Sequence, residues 1–306
     1  MMVPIALMVF NRPDLTQRVI DQLALCKPHT LYVIADGPRS VEESPACEKT
    51  LEIALNPPWE CDVVPFLRKK NVGMVRQFKE GLDFVFNRHD RLIFMEDDHL
   101  IAPSSYRFAC ELLDRFADDD RIGHINLSNF VPSFTASYEI SYLFSYHFMV
   151  WGFGTWKRMW ESYDVSMPLW TIADQDAILN RLCFSRREKK GVREMFDLHA
   201  NNKNPWTYDY QWAFNCLNRN TYCITPSKNL CLNIGFDRED ATHNKGKNPF
   251  ANEIESLKFP LTHPINIERD LDFDRTLSGI IAPSSSMILK GKIRNKLFEL
   301  FRGMTL

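Results

Sequence analysis

Short apolar runs alternate with segments of helical periodicity over the first 127 residues, and this alternation restricts the fold more than any other feature. A continuous apolar run is typical of a strand that helices cover on both faces. Runs of this kind predict five strands, at residues 4–10, 31–35, 62–67, 91–95 and 123–127. Helices are predicted between them, one beginning at Pro13 and the others over residues 41–55, 75–86 and 104–116. This alternation predicts an α/β fold with a mostly parallel, Rossmann-like sheet and right-handed crossovers.

The length and the charge balance exclude several other classes of protein. A chain of 306 residues, 45% of them hydrophobic, can bury a full core, which excludes a disordered or collagen-like chain. The 37 Lys and Arg residues nearly balance the 39 Asp and Glu residues, so the net charge is -2. Such a chain has no overall positive field to attract phosphates, and nucleic acid is therefore not expected as a partner.

The cysteines and the first apolar segment predict a cytoplasmic protein. The eight cysteines are scattered and include no Cys-x-x-Cys pair, which favours a reducing compartment over a disulfide framework. Segment 3–10 is too short to span a membrane, and no basic residue precedes it. It leads into residues 11–13, Asn-Arg-Pro, rather than a small-residue cleavage site, so we interpret it as a strand and not as a signal peptide.

The strongest local signal is an acidic triplet, Glu96, Asp97 and Asp98, directly after the fourth predicted strand. Ligands of parallel sheets bind at the carboxyl ends of the strands, where carboxylates can hold a hard divalent cation. The alternative is a solvated acidic turn, because acidic residues are common in exposed turns. Polar residues also follow three other strands, and their expected convergence on one crevice favours a binding site: residues 11–13, 36–39 and 128–129.

Cations and acceptor groups near the same edge suit a phosphorylated nucleotide. Arg12 offers a guanidinium fork to a phosphate, and Asp36 can accept hydrogen bonds from a base or a ribose. Arg76 and Lys79 follow a predicted helix start at 71–73 that suits a diphosphate; the alternative is a surface helix with two solvated cations. The chain has no P-loop motif and no Gly-x-Gly-x-x-Gly motif after a strand, so neither a P-loop kinase nor a nicotinamide dehydrogenase is supported.

These motifs resemble those of the GT-A glycosyltransferases, and within them the N-acetylglucosaminyltransferase I family and its bacterial look-alikes. The resemblance covers four segments: residues 9–12, residues 35–37, the helix around Arg76 and, most specifically, residues 94–103. It implies that Asp98 binds a divalent metal, Mn2+ or Mg2+, under the diphosphate of the donor. It also implies that Glu96 and Asp97 lie near the nucleotide-sugar and that Arg12 and Asp36 contact the nucleotide.

Two aromatic segments further along the chain also resemble elements of this family. Residues 148–156 resemble the segment that leads into the helix over the donor sugar, where Trp151 would stack on the sugar and Gly152 would let the backbone approach it. The alternative is a turn packed by core aromatics. Residues 206–212 resemble the element with the catalytic base, which implies that role for Asp209. Asp209 stands alone, whereas animal N-acetylglucosaminyltransferase I has adjacent acids in this element.

Two more carboxylates and one histidine complete the candidate residues. Asp174 and Asp176 follow Trp170 and compete with Asp209 for the role of base, although each could equally begin a helix. His243 lies in a segment that resembles the loop that closes over the diphosphate in relatives, which implies contact with phosphate or metal. The alternative for His243 is an ordinary surface or packed histidine.

The composition and pattern of the sequence change near residue 130 and again near residue 285. We interpret residues 1–130 as the nucleotide-sugar-binding half and the aromatic-rich residues 131–284 as the acceptor-binding and catalytic half. Residues 285–306 form a basic amphipathic tail, in which five Lys and Arg residues interleave with apolar residues and only Glu299 is acidic. Such a tail predicts peripheral contact with the inner face of a membrane, and the alternative is a helix docked on the body of the chain.

Together these features predict an inverting, metal-dependent glycosyltransferase that moves a sugar from a nucleotide-sugar, expected to be a UDP-sugar, to a hydroxyl of a glycan or glycolipid. The leaving diphosphate then needs a Lewis acid, and the acceptor hydroxyl needs a base. Two other functions stay open. One is nucleotidyl transfer on the same kind of sheet, and the other is a catalytically inactive glycan-binding or adhesive protein.

Overall fold

The computed structural model describes residues 3–200, 202, 205–236, 238, 248–283, 286 and 288–293. The strands among these residues are β1 (Ile5–Val9), β2 (Thr30–Ala35), β3 (Asp62–Leu67), β4 (Arg91–Glu96), β5 (His99–Ile101), β6 (Ile122–Asn126), β7 (Tyr142–Ser145), β8 (Phe153–Trp156), β9 (Tyr222–Pro226) and β10 (Cys231–Asn233). The α-helices are α1 (Pro13–Cys26), α2 (Ser44–Leu55), α3 (Met74–Phe86), α4 (Pro103–Arg115), α5 (Lys157–Trp160), α6 (Gln175–Leu182), α7 (Arg186–His199), α8 (Asp209–Asn218) and α9 (Leu271–Ile281). Two short 3-10 helices cover Val41–Glu43 and Pro168–Thr171.

Eight of the strands form one central sheet in the order β3-β2-β1-β4-β8-β6-β9-β7, and β5 pairs with β10 in a separate ribbon. Neighbouring strands are parallel from β3 to β4 and again between β6 and β9. β8 is antiparallel to both of its neighbours, and β7 is antiparallel to β9. This arrangement confirms the α/β fold class with a mostly parallel central sheet.

The strand side chains alternate between two hydrophobic layers, one on each face of the sheet. Ile5 and Leu7 of β1 belong to a cluster with residues of α1, α2 and α4. Ala6 and Met8, which point the other way, belong to a cluster with residues of α3 and α8. Because helices cover both faces, all of β1 is buried, which explains its continuous apolar sequence.

Strands from beyond residue 130 complete the same sheet. The four-residue strand β8 lies between β4 and β6, with Phe153 opposite Phe94 on one side and Asn126 on the other. β7 and β9 extend the sheet at its far edge. The carboxyl ends of β1, β2 and β4 therefore lie at one edge of a sheet to which both predicted halves contribute.

A buried polar network fixes α8 against the sheet. The indole nitrogen of Trp212 donates to His124 Nδ1 at 3.2 Å, and His124 Nε2 lies 2.9 Å from Asn126 Oδ1. Burial lowers the pKa of His124 to about 3, so the ring is neutral and uses one nitrogen as acceptor and the other as donor. This network links α8, which begins at Asp209, to β6.

The described part of the tail docks on α7. Residues 288–293 are helical, and Ile288 is buried. Gly291 lies so close to Leu198 that a Cβ would be 2.5 Å from the Leu198 side chain. Lys292 Nζ pairs with Glu194 at 2.8 Å. This face of the tail is therefore docked on the body of the chain, as the alternative to membrane contact predicts. Residues 294–306 lie outside the described part of the chain.

The described residues contain no disulfide and no membrane-spanning helix. All eight cysteines are free thiols. None of the helices that the structure describes combines the length and the apolar character needed to cross a bilayer.

Candidate active site

The acidic triplet lies at the carboxyl edge of the sheet, where β4 ends beside β1. Glu96 is the last residue of β4 and pairs with Met8 of β1, and β5 begins directly after the turn. Asp97 and Asp98 are 2% and 5% exposed. These two residues do not form a solvated acidic turn, and their buried carboxylates need partners that offset the cost of desolvation.

Arg12 is the main partner of the two buried aspartates. Its Nη1 donates to Asp98 Oδ2 at 2.9 Å, and its Nη2 donates to Asp97 Oδ1. The amide of Phe10 donates to the other carboxylate oxygen of Asp97 at 3.2 Å. Because β1 and β4 are parallel neighbours, the residues that follow β1 reach the triplet. The structure thus brings Arg12 and the triplet together, as the strand ends predict.

The end of β10 and the loop that follows it cover another side of Asp98. Asn233 Nδ2 donates to Asp98 Oδ1 at 3.2 Å, and the amide of Ile234 donates to the main-chain carbonyl of Asp98 at 2.9 Å. A Cβ on Gly235 would lie 2.2 Å from Asp98 Oδ2 and 3.0 Å from Arg12 Nη1. Only glycine therefore allows the backbone to approach this closely.

His99 is a neutral, buried neighbour of Asp98. The amide of Glu96 donates to His99 Nδ1 at 3.1 Å, so the ring proton is on Nε2, which lies 3.5 Å from Asp98 Oδ1. Burial lowers the pKa of His99 to about 4, and the nearby charge of Arg12 acts in the same direction. The histidine therefore adds no positive charge to the site at neutral pH.

Tyr208, from the second half of the chain, contacts the triplet at Glu96, and Asp209 follows it in sequence. The hydroxyl of Tyr208 donates to Glu96 Oε1 at 2.6 Å. The Tyr208 ring stacks on Phe78 with centroids 3.9 Å apart and planes 13° apart. Asp209 is the first residue of α8, and its charge is close enough to help raise the pKa of Glu96. The predicted base therefore lies near the triplet.

Burial raises the pKa of both Glu96 and Asp209. For Glu96, the charge of Asp98 adds to the effect of burial. For Asp209, a hydrogen bond with Thr207 opposes the shift, and the resulting pKa is about 6. A pKa near the operating pH is what an efficient general base requires.

Tyr208→Phe tests the link between the two halves. The substitution keeps the ring that stacks on Phe78 and removes only the hydroxyl that donates to Glu96. We expect the free energy of unfolding in urea to fall by about 1 to 2 kcal/mol, because a partly buried acceptor loses its donor. Tyr146→Phe is the matched control: it removes an exposed bond to Asn220 and should cost less than about 0.5 kcal/mol. Equal losses in the two variants would contradict a specific link at Glu96.

The carboxylate of Asp36 lies at the predicted edge but binds backbone amides. It accepts hydrogen bonds from the amides of Gly37, Val72 and Gly73, each at 2.9 Å. Gly73 has a φ of 86°, in the region that favours glycine, and immediately precedes α3. Asp36 therefore orders the turn before α3, and its contact with a nucleotide stays a prediction.

Trp151 and Gly152 pack in the protein core. Trp151 is 7% exposed. Its ring makes edge contacts with three phenylalanines: Phe130, Phe236 and Phe250. Gly152 has a φ of 65°, and a Cβ there would press on Leu127 and Cys231. This is the packing of the aromatic-turn alternative, and contact of either residue with a sugar stays a prediction.

Three other predicted residues form hydrogen bonds or ion pairs with residues outside the triplet. Arg76 donates to a glutamate one turn further along α3 at 2.7 Å, on an exposed surface. Asp174 accepts from the Ala177 amide at 3.0 Å and so caps α6. Asp176 is largely exposed and pairs with Arg193 at 2.7 Å. The helix-capping alternative thus holds for Asp174.

The donor set at Asp98 fits a hard divalent cation. Carboxylate oxygens suit Mg2+ and Mn2+, and both oxygens of Asp98 accept a hydrogen bond in this structure, one from Arg12 and the other from Asn233. Among the described residues, no three His, Cys, Asp or Glu side chains are arranged to enclose a metal. A cation here would complete its coordination with water and substrate phosphates, as Mg2+ commonly does. His243, the second predicted ligand, lies outside the described residues.

Comparisons with known proteins show similarity only at the level of structure. No protein-family model and no curated protein sequence matches the chain. The structure is similar to 4-diphosphocytidyl-2C-methyl-D-erythritol synthase from Anaerococcus prevotii, with 8% identity, a TM-score of 0.32, and coverage of 64% of this chain and 85% of that chain. It is also similar to an apo UDP-glucose pyrophosphorylase, with 8% identity, a TM-score of 0.33, and coverage of 72% and 90%. Likeness this weak says nothing about the reaction.

Sequence reasoning assigned no individual role at the triplet to four residues that the structure places around it and Asp209. Three of them contact the triplet: His99, Asn233 and the hydroxyl of Tyr208. The fourth is Tyr163, whose buried hydroxyl has no partner among the described residues and whose pKa is raised by burial and by the charge of Asp209. His99 directly follows the triplet, a signal that could have identified it. Nothing in the sequence relates Tyr163 to Asp209.

Proposed function

We propose that the protein is an inverting, metal-dependent glycosyltransferase of GT-A type that transfers a sugar from a UDP-sugar to a hydroxyl of a glycan or glycolipid. The observation that carries this proposal is the hydrogen bond from Tyr208 to Glu96, which brings the start of α8, with Asp209, toward the acidic triplet at one edge of the sheet. Groups that can meet the charge of a leaving diphosphate and a candidate base for the acceptor hydroxyl thus lie close together. Inverting transfer needs both.

In this proposal Asp98 holds Mn2+ or Mg2+, and His243 is proposed as a second ligand on the family resemblance alone. The metal supplies Lewis-acid stabilisation of the leaving nucleoside diphosphate. Arg12 supplies a second cation for the same phosphates, and Asp97 orients its guanidinium through a hydrogen bond. The burial of Asp97 and Asp98 supports this role, because charges interact more strongly where water is excluded.

Four further residues are proposed as donor contacts because of the family resemblance: Asp36, Arg76, Trp151 and Gly152. Asp36 acts through the ordered turn at Val72 and Gly73, which precedes α3. Amides at a helix amino end suit the binding of a diphosphate. Direct contacts of the other three with the donor rest on the resemblance.

Asp209 is the proposed general base. Two observations support it over its rivals. Asp174 uses a carboxylate oxygen to cap α6, and Asp176 pairs with Arg193 on an exposed surface. Asp209 instead lies near Glu96, and burial raises its pKa to about 6. A base on the acceptor side of the sugar is required for inversion, and Asp209 comes from the proposed acceptor-binding half.

The pH dependence of transfer follows from this assignment. Asp209 must be deprotonated to accept a proton, so activity is lost as the pH falls through its pKa of about 6. We expect kcat/KM to fall about tenfold for each pH unit below that value and to level off above it. Initial rates in buffers of constant ionic strength measure this profile. A plateau that extends down to the ordinary aspartate pKa of about 4 would contradict the assignment.

A donor screen tests the proposed substrate class. Thermal unfolding is measured with UDP-, GDP-, dTDP- and CMP-sugars and with UTP plus a sugar phosphate, each with and without Mn2+. A UDP-sugar with Mn2+ is expected to stabilise the protein by about 2.7 kcal/mol at 100 times its dissociation constant. No shift with any nucleotide-sugar would contradict the proposal, and a shift with UTP and a sugar phosphate alone would favour nucleotidyl transfer.

We further propose that the tail contacts an anionic membrane surface through the face that does not dock on α7. Leu289 and Ile293 lie one helical turn apart and are 59% and 50% exposed, with Lys290 between them in sequence. Apolar side chains beside cations suit the interface of an anionic bilayer.

The double variant Leu289→Gln and Ile293→Gln tests this contact without disturbing the docked face. It is expected to bind phosphatidylserine-containing vesicles at least about tenfold more weakly in a sedimentation assay, because two apolar side chains no longer enter the interface. Ile280→Gln, at a similarly exposed position of α9, is the control and should bind as the wild type does. Unchanged vesicle binding by the double variant would rule out this contact.

A further inference from the structure

We propose that Arg12 is an internal counter-ion of the metal site, so that a divalent cation binds Asp98 only when the guanidinium leaves that carboxylate for the donor diphosphate. This inference rests on the proposed function and adds a coupling to it: metal and nucleotide bind together, and neither binds well alone.

The two oxygens of Asp98 have different partners. Oδ1 accepts from Nδ2 of Asn233, the last residue of β10, at 3.2 Å. Oδ2 accepts from Arg12 Nη1 at 2.9 Å. The Arg12 guanidinium, with its full positive charge, therefore occupies an oxygen that a metal ion would use. The two cations would also repel each other. The guanidinium therefore weakens metal binding both by occupying the oxygen and by its positive charge.

The fork of Arg12 allows it to leave Asp98 and stay anchored. Its other nitrogen, Nη2, donates to Asp97, which also accepts from the Phe10 amide. A rotation that breaks only the bond to Asp98 keeps the guanidinium at the triplet. A diphosphate beside it then offers pairs of oxygens that the planar guanidinium can bind in a bidentate manner.

The packing around Asp98 indicates that Arg12 is the group that moves. The Asp98 side chain is 7% exposed, whereas that of Arg12 is 19% exposed. The backbone of Gly235 lies against Asp98 Oδ2 and leaves no room for even a Cβ. Asp98 is also held through its own main-chain carbonyl by Ile234. Access to Oδ2 is therefore gained by displacing the more exposed arginine.

The experiment measures Mn2+ binding directly, from the electron paramagnetic resonance signal of free Mn2+, with the full-length protein. Arg12→Gln is expected to bind Mn2+ without nucleotide about 10- to 100-fold more tightly than the wild type, because one charge-assisted hydrogen bond no longer has to be broken. UDP should increase the Mn2+ affinity of the wild type more than that of the variant, because only in the wild type does the diphosphate also draw Arg12 away from Asp98.

Arg121→Gln is the matched control. It removes an equal charge from an arginine that pairs with Asp119 just before β6, at the amino end of that strand, and it should bind Mn2+ as the wild type does. If Arg12→Gln does not fold, Arg12→Lys replaces it. The lysine variant keeps the charge without the fork, so its affinity for Mn2+ alone should lie between those of the wild type and the glutamine variant.

With a wild type that binds Mn2+ in the presence of UDP, an unchanged or weaker affinity for Mn2+ alone in the folded Arg12 variants would overturn the inference. The proposed function fails in a different way, when the wild type binds Mn2+ and UDP but turns over no UDP-sugar. The two failures are therefore distinguishable.

Discussion

Asp209→Asn is expected to bind UDP-sugar and Mn2+ normally and to transfer sugar at most about a hundredth as fast as the wild type. The amide has the shape of the carboxylate but cannot take a proton from the acceptor hydroxyl, and loss of a general base costs about 10²- to 10⁴-fold. Binding is retained because Arg12 and the triplet, not Asp209, are proposed to hold the donor and the metal. Initial rates at saturating donor give kcat, and calorimetry gives donor binding.

Asp174→Asn and Asp176→Asn are the matched controls for that experiment. Each removes the same charge from an aspartate of the second half that has a structural partner, the amide of Ala177 or the side chain of Arg193. Both variants should keep kcat within about twofold of the wild type, since neither carboxylate is proposed to take part in proton transfer. If Asp209→Asn stays near the wild type while either control variant loses its activity, the base has been misassigned.

Asp98→Asn is expected to lower kcat by about 10²- to 10³-fold and to remove the dependence of the rate on Mn2+. A neutral amide is a poor ligand for a hard cation, and the Lewis-acid stabilisation that the metal supplies is worth several kcal/mol. The fold should persist, because the amide oxygen still accepts a hydrogen bond from Arg12, and Asp97 remains as the second partner of the guanidinium.

The control for this variant is Asp120→Asn, whose side chain is 84% exposed and lies just before β6. It should leave the rate and its Mn2+ dependence unchanged. Wild-type turnover by Asp98→Asn, with the same Mn2+ titration curve, would show that Asp98 does not hold the metal.

The sequence predicts the first part of the fold well because a strand that is buried on both faces has a continuous apolar sequence. β1, β2 and β4 each read as a continuous apolar run, and the structure places them within one residue of the predicted ends. The strands of the second half are only three to five residues long. Their identity depends on pairing with distant partners, such as Phe153 with Phe94, and no local pattern reports such pairing.

The candidate site, like the fold, has contacts that the sequence predicts and contacts that it does not. Parallel strands that end at one edge predict that Arg12 meets the triplet, and it does. The hydrogen bond from Tyr208 to Glu96 joins residues 112 positions apart, and it depends on how α8 packs over the sheet. The same limit applies to Asp36, because a carboxylate at a strand end can serve either a ligand or a nearby turn. Only the folded chain shows its bonds to the amides of Val72 and Gly73.

The most direct test of inverting sugar transfer is the anomeric configuration of the first product. An α-linked UDP-sugar is incubated with the full-length protein, Mn2+ and simple glycoside acceptors, and proton NMR identifies the anomeric signal of the new glycosidic bond, whose configuration is fixed once it forms. We predict release of UDP together with a β-configured product, formed by the wild type and far more slowly by Asp209→Asn. An α-configured product would contradict inversion, and formation of UTP from added pyrophosphate without any sugar transfer would identify a nucleotidyltransferase instead.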